Sequence, residues 1–149
     1  MKKRAALLDV NVLIALFDAT HVQHDAAHDW FADHRKHGWA TCPLTENGFL
    51  RVMIHPRAAV EDDYGSLRAG LSTFCNGAEH VFWPDAVSLR DHRLFNPAVL
   101  LTHRQLTDAY LLGLAKRMGG RLATFDSRMP LKAVRGATMD DLSVIAPVE

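Results

Sequence analysis

Cysteine is scarce in this chain, with only Cys42 and Cys75 and no CxxC pair. Two thiols make no disulfide framework, nothing suggests an oxidising compartment, and a reduced cytoplasm is the expected setting. No stretch approaches the about 20 apolar residues of a transmembrane helix, so no membrane role is expected. An excess of one charge is also missing, since Lys plus Arg and Asp plus Glu both number 17. Net charge therefore does not select nucleic acid as a partner, and only the distribution of charge could do so. Gly-rich nucleotide fingerprints, GxGxxG and GxxxxGK[ST], are absent, which removes the two commonest phosphate-cradling loops. There is no internal repeat, low-complexity tract or linker. What remains is 149 residues, 48% hydrophobic and 23% charged. That is enough for one domain with a real core, taken as residues 1–149, and too little for two.

The amino-terminal "KKRAALLDVNVLIALFD" begins as an export signal begins, with basic residues leading into an apolar run. Asp9 and Asn11 interrupt it, and an Asp in a membrane-inserting segment costs about 2.5 to 3.5 kcal/mol. Leu16, Phe17 and Asp18 stand where small residues would mark cleavage. Residues 5–10 read better as a buried strand that carries Asp9 at its carboxyl end.

Beyond it, residues 12–17 read as a helical turn or two. Residues 22–36 carry Val22, Ala26, Ala27, Trp30 and Phe31 at helical spacing. Residues 39–42 form a brief strand, and Pro43 suits the first turn of a helix running to about residue 54. Tyr64, Leu67, Leu71 and Phe74 mark another helix, ending near Asn76 and Gly77. A strand at 80–83, a short helix within 85–101, a helix at 106–118, a strand at 121–125 and a last strand at 142–145 complete the reading. Strand and helix alternating throughout predict an α/β fold, a small parallel sheet flanked by helices on both faces. Sites in such sheets lie beyond the carboxyl ends of the strands, where strand order reverses.

Four acids are predicted at that edge. Asp9 ends the first strand, and Asp126 follows the strand "RLATF". Glu46 lies early in the helix after the second strand, and Asp108 opens the most apolar helix, in "QLTDAYLLGLAKRMGG". Taken singly, Asp108 and Glu46 could each cap a helix, and Asp126 could be a turn residue. Asp9, flanked by apolar residues, resists so plain a reading. Carboxylates brought together repel unless a cation joins them, and oxygen ligands of this kind suit Mg²⁺ or Mn²⁺. Such ions activate water and stabilise the leaving oxygen of a phosphodiester, so metal-dependent phosphodiester hydrolysis is the chemistry expected.

The segments "LLDVNVLIALF", "LTENGFLR", "HRQLTDAYLLGLA" and "LATFDSRM" resemble, in order and spacing, the four acidic motifs of the PIN domain. They resemble most closely those of the VapC ribonuclease toxins of bacterial toxin–antitoxin modules. The likeness implies that Asp9, Glu46, Asp108 and Asp126 are the catalytic and metal-binding acids, with Asp9 and Asp108 foremost. It implies Asn11, Thr45, Thr107 and Ser127 as polar neighbours supporting them. It also implies Mg²⁺- or Mn²⁺-dependent cleavage of RNA, inhibition by a cognate antitoxin protein and a homodimer. The apolar faces of the helices at 22–36 and 64–75 are the candidate contacts.

Other features are ambiguous. His21, His24 and His28 lie near one helix face, and His24 with His28 has zinc-like spacing, but no third ligand accompanies them. His103, Arg104, Arg51, Arg57, Arg90, Arg93 and Arg128 could supply phosphate-binding charge or simple solubility. The competing readings are a PIN-like binding module without catalysis and phosphoryl transfer through an aspartate nucleophile. Four intact acids weigh against the first. Asn at position 11 and the want of a placed lysine weigh against the second.

Overall fold

The fold, taken from a computed structural model, is described for residues 4–58 and 62–146, so that Lys2 and Lys3 lie outside it. Five short strands, β1 (Ala6–Leu8), β2 (Trp39–Thr41), β3 (His80–Phe82), β4 (Arg121–Thr124) and β5 (Leu142–Val144), make one sheet. Its order is β3-β2-β1-β4-β5, and every pairing is parallel. The chain steps from β1 outward to β3, then returns to lay β4 on the other side of β1. That return puts the reversal of strand order between β1 and β4.

Successive residues of a strand face opposite sides, and β1 uses this fully. Ala6 and Leu8 enter one buried cluster together with helices α1 (Val10–Phe17), α2 (His24–His34), α3 (Pro43–Met53) and α4 (Tyr64–Phe74). Leu7 enters the other, beneath α5 (His103–Arg117) and the segments around Trp83, Phe95 and Val134. The α/β architecture with both faces of the sheet covered is thus the one expected of alternating strands and helices.

Local chemistry sets the helix starts. Cys42 and Thr45 close a capping box before α3, with Pro43 at its first position, where a missing N–H costs nothing. Thr102 and Gln105 close another before α5. Helix α5 accordingly begins three residues earlier than the sequence pattern suggested, and Asp108 lies in its second turn rather than at its cap. Helix α5 is buried continuously from Leu111 to Ala115, and a Cβ at Gly113 would overlap the ring of Phe95. Glycine there admits the neighbouring segment.

The short helix expected within residues 85–101 is not formed; the segment runs as successive turns. Ser88, Asp91 and Asn96 each accept, through their side chains, the backbone N–H two residues onward. Such local bonds offer the backbone an alternative to a helix; Pro84 precedes the stretch and Pro97 interrupts it. Phe95 and the hydrogen bond from Tyr110 to Asp85 (2.7 Å) pin it to α5.

The early histidines also have a plain role. His24 Nδ1 lies 2.6 Å from the Ala15 carbonyl and His28 Nε2 lies 2.8 Å from that of Leu16. Their i, i+4 spacing serves the carbonyls left open at the end of α1, not a metal.

Candidate active site

Asp9 follows β1 and is the amino-terminal cap of α1, where its Oδ1 accepts the Val10 N–H at 2.7 Å. Because β1 and β4 are neighbours, the Asp9 N–H reaches the Ala123 carbonyl, and the Thr124 hydroxyl donates to Asp9 Oδ2 at 3.2 Å. The same hydroxyl oxygen accepts the Asp126 N–H at 3.1 Å. Thr124, buried at the end of β4, therefore ties the two acidic strand ends together. The sequence reading passed over it. Its only signal was a polar residue directly after the apolar Leu122 and Ala123 of the strand.

Asp108 faces the same point from α5. Asp9, Asn11, Arg104, Asp108, Thr124, Phe125, Asp126, Arg128 and Met129 line one open cleft of about 450 Å³. It lies at the switch point of the sheet, where an open parallel sheet places its ligands. Burial pushes the Asp9 carboxyl up; the bonds from Val10 and Thr124 offset part of this, and the Asp126 charge adds to it. Asp108 is raised to about 6, first by burial and then by the charges of Asp9 and Asp126. Burial and neighbouring charges that hinder the ionisation of Asp9 and Asp108 mark a site short of positive charge. Arg104 and Arg128 supply some at the rim. Arg128 Nε stands 3.9 Å from Asp126, and its side chain is almost wholly exposed. Of the other predicted cations none lines the cleft, and Arg93 pairs instead with Asp91.

Glu46 is not among the residues lining this cleft. Its Oε2 accepts the Thr41 hydroxyl at 2.6 Å, and its carboxylate stands with Cys75 and His80. The structure thus gathers three of the four predicted acids and gives the fourth other neighbours. The reason is steric direction. Helix α3 starts from β2, one strand further from the switch point than β1, so Glu46 faces toward β3. Of the polar residues expected to support the acids, Asn11 lines the cleft. Thr45 is buried in the α3 capping box, bonded to Cys42. Thr107 and Ser127 are exposed and lie outside the lining.

The raised Asp108 makes a testable statement about stability. A carboxyl whose folded pKa lies above its unfolded value adds stability that is present below the unfolded value and lost as pH rises through the folded one. Without metal, the protein should lose stability between about pH 4 and pH 6 on this account. Asp108→Asn should remove that loss and leave the variant more stable at pH 7 by on the order of 1 kcal/mol, a figure reduced for solvent screening of a half-exposed group. Denaturant titrations in EDTA across that range measure it. Parallel pH profiles for wild type and variant would contradict the clustering of charge.

The PIN domain family matches residues 6–136 of the chain. Ribonuclease VapC44 of Mycobacterium tuberculosis is 41% identical over 140 residues, covering 94% of this chain and 99% of that protein. Ribonuclease VapC39 of the same organism is 41% identical over 132 residues, or 88% of this chain and 95% of its own. Ribonuclease VapC38 is 42% identical over 123 residues, or 82% and 85%.

Proposed function

The chain belongs to the PIN-domain family, among the VapC ribonucleases, and on that premise we propose that it is a toxin endoribonuclease that hydrolyses RNA phosphodiester bonds with Mg²⁺ or Mn²⁺. The observation that carries the reading is the meeting of Asp9, Asp108 and Asp126 at the β1–β4 switch point. Three carboxylate donors, Asp9 raised by burial and by Asp126, and Asp108 raised by burial, by Asp9 and by Asp126, suit a hard divalent cation in charge and in ligand type. Asp9, Asp108 and Asp126 would hold it, with Glu46 the fourth acid of the reading at the same edge of the sheet. When bound, the cation supplies activation of water and stabilisation of charge on the phosphodiester.

The chain's own residues do the rest. Thr124 fixes the Asp9 carboxylate and the Asp126 backbone through one hydroxyl, so the two cannot drift apart. Arg104 and Arg128 at the cleft rim attract the backbone phosphates without reading bases. The cleft is open rather than enclosed, which suits a polymer entering from the side.

A cognate antitoxin that inhibits the enzyme, a homodimer and a cytoplasmic setting belong to the same proposal. Among the described residues no helix is long and apolar enough to cross a membrane. The apolar faces of α2 and α4 are spent on the core, where Trp30, Phe31, Leu67 and Leu71 are buried. A second chain would instead meet the exposed Val52, Ile54 and Tyr64 around α3 and the start of α4.

The deciding experiment is cleavage of labelled RNA by purified protein. Cleavage should need Mg²⁺ or Mn²⁺ and stop in excess EDTA. Cleavage undiminished by EDTA removes the metal, and no cleavage under any metal would make the chain a PIN-like binding module.

A further inference from the structure

Glu46 has neighbours that its place in the nuclease reading does not require. The last residue of β2, Thr41, places its hydroxyl 2.6 Å from Glu46 Oε2 and 2.8 Å from His80 Nε2. Cys75, which closes α4, completes the group. One donor atom each from Glu46, Cys75 and His80 lie within 4.8 Å of one another, and all three residues are half-buried. The ring of Trp39 packs 4.6 Å from that of His80 and limits its movement. The three residues come from α3, the end of α4 and the start of β3, so no single turn or cap accounts for their meeting.

A thiol, an imidazole and a carboxylate are the donor types of open zinc sites, in which three protein ligands leave a fourth position to water. Hard-ion sites such as those for Mg²⁺ use oxygen alone and have no use for Cys75 or His80. Tetrahedral zinc bonds would set the donors roughly 3.5 Å apart, a contraction that side-chain rotation at Glu46 and Cys75 can supply. Thr41, bonded to Glu46 Oε2, would then be an outer partner that orients the carboxylate ligand, as metal sites usually require.

We propose that Glu46, Cys75 and His80 bind Zn²⁺, and that zinc held there locks the Glu46 side chain in the place it occupies beside Thr41, outside the acidic cleft, and so restrains RNA cleavage. On binding, the Cys75 sulfur gives its proton to solvent and takes the metal in its place, with no change of oxidation state. The restraint rests on the ribonuclease reading. The zinc site does not.

Two measurements on the full chain test the two halves. Zn²⁺ binding is measured by equilibrium dialysis, and Co²⁺ serves as the spectroscopic probe for wild type, Cys75→Ser and His80→Gln. Neither substituted residue lines the acidic cleft. Wild type should bind one Zn²⁺ beyond any taken up by the acidic cleft and give a thiolate-to-cobalt absorption band. Each variant should bind this Zn²⁺ at least about 10-fold more weakly, since losing a ligand should cost no less than losing an outer partner. Cys75→Ser should lose the band. A missing band in wild type, or equal affinity in the variants, overturns the site.

In Mn²⁺-supported cleavage assays, Zn²⁺ should inhibit wild type at concentrations at least about 10-fold below those needed for Cys75→Ser. Equal sensitivity overturns the restraint. Absence of cleavage by wild type in Mn²⁺ alone would remove the restraint along with the ribonuclease reading, while the dialysis and cobalt results would still decide the site.

Discussion

Asp9→Asn should abolish metal-dependent RNA cleavage and leave the protein at least as stable in EDTA as wild type. The two effects separate because the side chain has two duties. As cap of α1 it accepts the Val10 N–H, and asparagine caps a helix as well as aspartate does. The Thr124 hydroxyl, which donates to Asp9, can rotate to accept from the new amide instead. Shape and cap survive, while a buried charge facing Asp126 and Asp108 disappears. The melting temperature in EDTA should therefore rise by a few degrees, roughly 3 °C per kcal/mol for a domain of this size, or stay unchanged. Activity should fall by about 10³-fold or more, because metal-ion catalysis supplies several kcal/mol and each 1.4 kcal/mol is tenfold.

Adding Mn²⁺ at 100 times its dissociation constant should stabilise wild type by about 2.7 kcal/mol and the variant much less. A purely structural Asp9 would behave otherwise. Its replacement would destabilise by on the order of 1 kcal/mol, metal would change neither protein, and activity would follow the folded fraction. Melting curves with EDTA and with Mn²⁺, beside cleavage rates, distinguish the two patterns. A variant less stable in EDTA with an unchanged metal response would sink the carboxylate cluster.

At the opposite edge of the sheet, Asp141→Ala should cost about 3 kcal/mol of stability and leave the cleavage rate of the folded protein unchanged. Asp141 is 4% exposed and directly precedes β5. Its Oδ1 accepts from Arg4 at 2.7 Å, and its Oδ2 accepts from Lys116 at 3.3 Å and from the Thr138 N–H at 2.9 Å. Arg4 also donates to the carbonyls of Asp140 and Gly120. One carboxylate thus clasps the segment before β1, the end of α5 and the start of β5. The expected loss sits at the low end for breaking a buried pair, because the Arg4 and Lys116 side chains are 28% and 33% exposed and can hydrate when left alone.

The pH dependence identifies the cause. Burial by itself would raise Asp141, but the Thr138 N–H and the Arg4 and Lys116 cations overcome it and hold the carboxyl below its ordinary range. A lowered folded pKa contributes stability that is present above the unfolded value and lost as pH falls through the folded one. The gap between wild type and Asp141→Ala should therefore be full at pH 7 and narrow below about pH 4. Denaturant unfolding at both pH values measures it. A gap that persisted unchanged in acid would make the loss one of packing, not charge.

Much of the site was legible in residues close together in the chain. "ALLD" and "LATFD" read as apolar strands that end in acid because a strand's pattern repeats every two residues and needs no knowledge of its partner. The alternation of strands with amphipathic helices fixed a parallel sheet, and a parallel sheet puts the carboxyl ends of its strands on one edge. The pattern alone thereby assigns Asp9 and Asp126 to the same edge. Caps were legible in kind, yet α5 begins after Thr102, three residues before the start at residue 106 that the apolar pattern suggested, because polar capping residues carry no hydrophobic period.

Strand order lay beyond such reasoning. Leu8 pairs with Ala123 across more than a hundred residues, and no local pattern records which strand is the neighbour. That pairing brings Asp126 and Thr124 to Asp9 and leaves Glu46, one strand further out, beside Cys75 and His80. The stretch at 85–101 escaped for a related reason: its turns are held by Tyr110, Gly113 and Val134 from elsewhere in the chain. The same residue type even changes its titration with its setting. Asp108, partly buried among acids, is pushed up to about 6, whereas Asp141, buried among cations and a backbone N–H, is held down. Sequence names the carboxyl group, but its free energy of ionisation depends on charges and dipoles a few ångströms away, and only the folded chain brings those into place.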